Sequence, residues 1–255
     1  MNDSITVGLD IGTTKVCVVV GSLNDLGELQ IIGVGSAPSD GLYKGVVSNF
    51  EQTAKTIIKA VEDAEMMSGV DIEDVYAGIA GGHIQGLTSK GVIAVQSKDR
   101  IITEKDVNRV IDAAKALALP LGREVIHIIP QAFRIDEREG FKDPIGMQGV
   151  RLEADVHIIT AAVISAQNIV TSVTKAGFDV NDIVLEPLAS AKAVLSRDEK
   201  EMGVVLVDIG GGTSDVLIYH NNSIIHTSVL SIGGKHVTAD ISMGLRTPKQ
   251  YAEDV

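Results

Sequence analysis

The stretch "LVDIGGGTSDVLIY" (206–219) reads as an apolar β-strand, interrupted by an aspartate, three glycines and two hydroxyl residues, that resumes as a second strand. It has a counterpart in "VGLDIGTTKVCVVV" (7–20). Each copy is a hydrophobic strand, then Asp-Ile-Gly, then a hydroxyl-bearing turn, then another strand, so Asp10 aligns with Asp208 and Gly12 with Gly210. A separation of about 200 residues is far too long for a solenoid repeat and suits two halves of a duplicated fold facing one cleft.

A glycine-rich turn between strands lets backbone N–H groups converge on an anion, because no Cβ blocks close approach. Thr13, Thr14, Thr213 and Ser214 add hydroxyl donors. An aspartate ending the first strand would repel phosphate unless a cation lay between them. Asp10 and Asp208 therefore imply magnesium, held through waters because that ion dehydrates reluctantly. Either turn alone is also what an ordinary β-hairpin uses. Two matching copies argue for a clamp that closes on a polyphosphate from both sides.

Composition narrows the classes. Hydrophobic residues make up 45% and aromatics 3% with no tryptophan, which favours an α/β core of Val, Ile, Leu and Ala. A net charge of −12 would repel a nucleic-acid backbone, and no aromatic series offers stacking for bases. Nucleic acid is excluded as a partner on these grounds. The single Cys17, inside "VCVVV", reads as a small buried hydrophobe and rules out an intrachain disulfide. His127 and His157 sit in strand-like runs without metal-ligand spacing. No apolar stretch reaches the length of a membrane span and no signal peptide opens the chain, so the sequence reads as cytosolic.

Three meandering strands are predicted over 5–39, then a helix capped by Asn49 with Ala54, Ile57, Ile58 and Val61 on one face, then a strand over 74–81. From His83 the texture changes: a strand over 90–96, a helix from Thr103, and two strands, "REVIHIIPQAFRID" and "VRLEADVHIITAAV", joined by an exposed loop. A helix from Ser165 to Gly177 follows, then a strand over 182–187 ending in Glu186-Pro187, and one helix through Ser196. Three close strands, a helix opened by Gly233-Gly234 and the start of another after Pro248 complete the chain. The division predicted is 1–82 plus 163–197 as a first subdomain, 83–162 as an inserted α+β subdomain, and 198–255 as the start of a second domain.

The paired turns resemble those of the actin, heat-shock chaperone and sugar-kinase superfamily. "LEPLASAKAVL" (185–195) is similar to its connecting helix and "SIGGKHVTADI" (231–241) to its Gly-Gly segment. Within it, "AGIAGGHIQG", "ITEKDVNRVIDAAKALALP", "DPIGMQGVRLE" and "GLRTPKQYAED" resemble the FtsA family of bacterial actin-like division proteins, with the insert as the discriminating feature. The resemblance implies an actin-like ATPase fold of ribonuclease H-like domains, binding ATP and magnesium. It further implies filament formation with other copies of itself, binding of the FtsZ tail and other division proteins, and a peripheral place on the cytoplasmic face of the membrane. Carried over by position, Asp10, Gly12, Thr13, Thr14 and Lys15 form one phosphate turn and Asp208, Gly210, Gly211, Gly212 and Thr213 the other. Gly233, Gly234 and Glu253 meet the nucleotide, and Glu186 positions the attacking water in what is at most a slow ATPase. Lys15 could instead be a solvated strand residue, and Glu186 a helix-start charge satisfied by backbone N–H groups. The resemblance also implies a further 100–150 residues or so of second domain, on domain-size grounds, and an amphipathic membrane helix beyond Val255. A related pilus-assembly scaffold and a small-molecule kinase of the same superfamily are the alternatives.

Overall fold

The computed structural model describes residues 5–39, 41–43, 45–116 and 120–255. Its α/β organisation rests on three main sheets. The first contains β1 (Ile5–Ile11), β2 (Lys15–Leu23) and β3 (Leu29–Pro38) as an antiparallel meander. β6 (Asp74–Ile79) runs parallel to β1 and β11 (Asp179–Leu185) parallel to β6, giving the order β11-β6-β1-β2-β3. The short pair β4 (Leu42–Tyr43) and β5 (Val46–Val47) leads from β3 to helix α1 (Phe50–Ser68). Asn49 caps α1 by accepting a hydrogen bond from the Gln52 N–H at 3.1 Å, and Gly69, at φ +70°, ends it.

Alternation decides what β2 buries. Val16, Val18 and Val20 are fully buried against α1, while Cys17 points to the other face and is only half-buried. Cys17 is thus not the core filler its apolar neighbours suggested. α1 lies unusually close to β3, where Gly33 and Gly35 meet Ala60 and Ala64. A Cβ on Gly35 would come within 1.8 Å of the Ala60 carbonyl oxygen. α3 (Val163–Lys175) packs on the same core through Ala166, Ile169 and Val173.

The insert is a second, antiparallel sheet in the order β7-β10-β8-β9, formed by β7 (Gln85–Ala94), β10 (Arg151–Ala162), β8 (Arg123–Ile135) and β9 (Arg138–Phe141). Helix α2 (Glu104–Ala116) covers one face with Val110 and Ala114. The strand predicted over 90–96 begins earlier, at Gln85, because it pairs with the whole of β10, and the loop predicted before Arg151 contains the short β9. At the start of α2 the Asp106 carboxylate accepts from both the N–H and the hydroxyl of Thr103. β10 continues past the insert, so Ile159 and Ala161 belong to the first core.

The third sheet, β12 (Val204–Ile209), β13 (Ser214–His220) and β14 (Ser223–Leu230), is an antiparallel meander like the first three strands. β14 lies against the insert. The Thr227 hydroxyl and His157 Nε2 share a 2.8 Å hydrogen bond, and a Cβ on Gly86 would strike that hydroxyl. β11 ends at Leu185, two residues before Pro187, and Glu186 opens helix α4 (Glu186–Val194) with that proline in its first turn. The helix predicted through Ser196 is α4, which ends at Val194, and a helix that was not predicted, α5 (Arg197–Met202), starts at a capping box formed by Ser196 and Glu199. α6 (Gly234–Leu245) follows the Gly-Gly pair, and α7 (Lys249–Ala252) is a single turn.

The close α1–β3 approach generates a direct test. Gly35→Ala should cost about 1–3 kcal/mol by overpacking. Gly8→Ala, where nothing lies within 4 Å of the added carbon, should change stability by less than about 1 kcal/mol. Urea unfolding of both variants checks the contrast, and equal costs would contradict this packing.

Candidate functional site

The two aligned turns have the same internal geometry. Gly12 N–H donates to the Lys15 carbonyl at 2.9 Å, and Gly210 N–H donates to the Thr213 carbonyl at 2.9 Å. The flanking registers also correspond, with Asp10 opposite Cys17 and Asp208 opposite Asp215. The sequence equivalence is therefore a structural one, carried by two hairpins from two different sheets.

The hairpins face each other across a cavity of about 650 Å³. Asp10, Gly12, Thr13, Thr14 and Lys15 line it from one side and Asp208, Gly210, Gly211 and Thr213 from the other. They touch at one point, where the Thr14 methyl sits so close to Gly211 that a Cβ there would lie 2.3 Å away. The second glycine of that turn thus serves cross-cleft contact as well as backbone freedom.

Glu186, first residue of α4, lines the same cavity together with Ala189 and Ser190. Those positions fall on one helix face, and the Ser190 hydroxyl donates to Asp208 Oδ2 at 2.7 Å. Glu186 keeps part of its surface open to the cavity, yet protein surrounds its carboxyl closely. Burial, then the charges of Asp10, Asp215 and Asp208, push its pKa well above the carboxylate range. Asp10 is raised by burial, with Lys15 opposing and Asp208 adding to the rise. Lys15 is exposed at its residue surface but lines the cavity.

Sequence reading passed over Asp215. Its residue is 4% exposed, its Oδ1 has no hydrogen-bond partner among the described residues, and burial followed by the Asp208 charge lifts its pKa to about 6 against the pull of a Thr213 hydrogen bond. The signal was available, since a hairpin closing at Gly210 places Asp215 directly across from Asp208. Ser190 and Cys17, both lining the cavity, were also missed as site residues.

The remaining predicted residues stand outside the lining. Gly212 is buried in its turn. Gly233 and Gly234 stack on that turn: Gly234 N–H donates to the Gly210 carbonyl at 3.0 Å, and a Cβ on Gly233 would come within 2.4 Å of the same oxygen. Glu253 is exposed and accepts the Thr238 hydroxyl at 2.7 Å, tying α7 to α6. No group of three or more His, Cys, Asp or Glu among the described residues is placed to hold a metal directly.

Residues 81–160 match the family described as "SHS2 domain inserted in FTSA", and residues 205–255 match "Cell division protein FtsA". A protein of Pseudomonas aeruginosa named "Cell division protein FtsA" is 50% identical over 98% of the chain, and one of Borreliella burgdorferi is 44% identical over all of it. The chain belongs to the FtsA family. It spans about 60% of the length of these curated FtsA relatives. Among solved structures, a "PilM-PilN type IV pilus biogenesis complex" aligns with a TM-score of 0.70 at 15% identity, covering 98% of the chain and 68% of that one. The ethanolamine utilization protein EutJ of Carboxydothermus hydrogenoformans aligns at 0.57. The fold is that of the actin-like ATPases, carrying the FtsA-type insert. The pilus-scaffold alternative shares that fold and lacks the sequence identity seen with FtsA.

The elevated Asp215 pKa fixes a pH dependence. With the folded value near 6 and the ordinary value of the free side chain 3.8, the native state binds the proton more tightly. Stability therefore falls as pH rises from about 4 to 6, and Asp215→Asn should lack this loss, gaining about 1–3 kcal/mol relative to the parent across that window. Urea unfolding between pH 4 and 7 measures it, and parallel curves would show that Asp215 titrates normally.

Proposed function

We propose that this chain is the nucleotide-binding part of an FtsA protein, and that its two hairpins hold the phosphates of ATP with a hydrated magnesium ion between them. One observation carries the reading: two turns closed by the same hydrogen bond, from separate sheets, face each other across one cavity with Asp10 and Asp208 on opposite sides. Backbone N–H groups and the hydroxyls of Thr13, Thr14 and Thr213 are the anion donors. The carboxylates of Asp10, Asp208 and Asp215, with the unpartnered Asp215 Oδ1, are hard oxygen donors of the kind that suit magnesium. Lacking a three-ligand cluster, they suit an ion that keeps its water shell. Magnesium, when bound, supplies the positive charge that lets phosphate approach these aspartates.

Glu186 then acquires a role set by its neighbours. Burial, followed by the charges of Asp10, Asp215 and Asp208, raises its pKa, and a cation that offsets those charges would make it a better proton acceptor. It is the candidate for orienting water in a slow hydrolysis. The division of the chain into 1–82 with 163–197, 83–162 and 198–255 accords with the three sheets and is part of this reading. At the level of the whole protein we assign it to cell division: assembly with other copies, binding of the FtsZ tail, and a tether to the inner face of the membrane. The FtsA relatives support that assignment. Among the described residues no helix is long and apolar enough to cross a membrane.

The full-length protein provides the test. ATP with magnesium at about 100 times its dissociation constant should raise unfolding stability by roughly 2.7 kcal/mol. Replacing magnesium with a chelator should remove most of the gain, because phosphate would then face uncompensated aspartates. Absence of any stabilisation by ATP and magnesium would overturn the nucleotide reading.

A further inference from the structure

Beyond the residues of the two turns, one cation crosses between them. Lys235, second residue of α6, donates its backbone N–H to the Gly211 carbonyl at 3.0 Å, while its ammonium reaches across to the Thr13 carbonyl at 3.1 Å. Its main chain is therefore fixed to the second hairpin and its charge is placed on the first. The fixation is strict, because Gly233, two residues earlier, packs so tightly on the Gly210–Gly212 turn that no side chain fits there.

The charge balance of the cavity gives this contact its meaning. Asp10, Glu186, Asp208 and the buried Asp215 gather here, and Lys15 is the one Lys or Arg among the lining residues. A polyphosphate would bring several more negative charges to the same place. Lys235 is exposed, and its ammonium has three donors, of which one meets the neutral Thr13 carbonyl. A carbonyl is a weak partner for a full positive charge compared with a phosphate oxygen. The lysine also lies beside the point where the turns approach, at Thr14 and Gly211.

We infer that Lys235 is a positioning residue of the proposed site, a cation that bridges the two turns and passes from the Thr13 carbonyl to the phosphates of a nucleoside triphosphate. The inference rests on the nucleotide reading above and adds a residue that the paired motifs do not contain. Its contribution is to the phosphate chain, since the ammonium is directed to a turn residue, Thr13. Arginine can replace it in charge and reach, and methionine in volume alone.

Binding of magnesium-ATP and of adenosine to the full-length protein, measured by calorimetry at two salt concentrations, decides the matter. Lys235→Met should weaken magnesium-ATP binding about 10- to 100-fold, the loss of a charge-assisted hydrogen bond, and should flatten its salt dependence. Adenosine binding should be unchanged, and Lys235→Arg should stay within about threefold of the parent by keeping the charge. Equal magnesium-ATP affinity in Lys235→Met and the parent would overturn the inference and leave the nucleotide reading standing. A parallel loss of ATP and adenosine binding would also overturn it, by showing a structural role. If the parent binds no magnesium-ATP, the nucleotide reading fails and the inference falls with it.

Discussion

Burial of Asp10, Glu186 and Asp215 around one cavity, with the repulsion of neighbouring carboxylates including Asp208 added to it, is the constraint on which the site depends. Two unit charges on the order of 5 Å apart repel by about 3 kcal/mol at the effective dielectric of a protein. A domain has only about 5–15 kcal/mol of net stability. Four ionised carboxylates around one cavity would consume much of it, so protons or a cation must compensate. The raised pKa values of Asp215 and Glu186, led by burial, favour proton uptake there as pH falls. A cation that replaces those protons ties the charge state of the cavity to what it binds, which is why the site's acid–base chemistry and its ligand chemistry cannot be separated.

Holding the carboxylates there depends on backbones that approach closely. Gly35 brings α1 onto β3, Gly91 brings α2 onto β7, Gly233 seats the start of α6 on the second turn, and Gly86 admits the Thr227 hydroxyl between insert and third sheet. The last contact links the insert to the third sheet, since β14 is hydrogen-bonded to β13, the strand that leaves the Gly210–Thr213 turn and carries Asp215.

Much of this was legible in the residues. The two Asp-Ile-Gly turns, their correspondence and their shared cavity follow from strand periodicity and glycine placement, and the insert from a change of texture near His83. What was missed has physical reasons. Cys17 was misread because the period-2 pattern of β2 decides burial only once the covered face is known, and that face belongs to α1. Asp215 was overlooked because its weight comes from cross-strand register with Asp208, a pairing that becomes informative when the hairpin closes. Lys235 reaches Thr13 across 222 positions of sequence, a contact no local pattern encodes. The break between α4 and α5 was local and readable, since Ser196 and Glu199 form a capping box by spacing alone.

The central claim is that the two turns are halves of one anion site. A titration of the full-length protein with ATP and magnesium, following the backbone amide resonances of Thr13, Thr14, Gly211 and Gly212, tests it most directly. The account predicts that amides of both turns shift together and saturate with a single common dissociation constant. Shifts confined to one turn, or two unrelated constants, would contradict it.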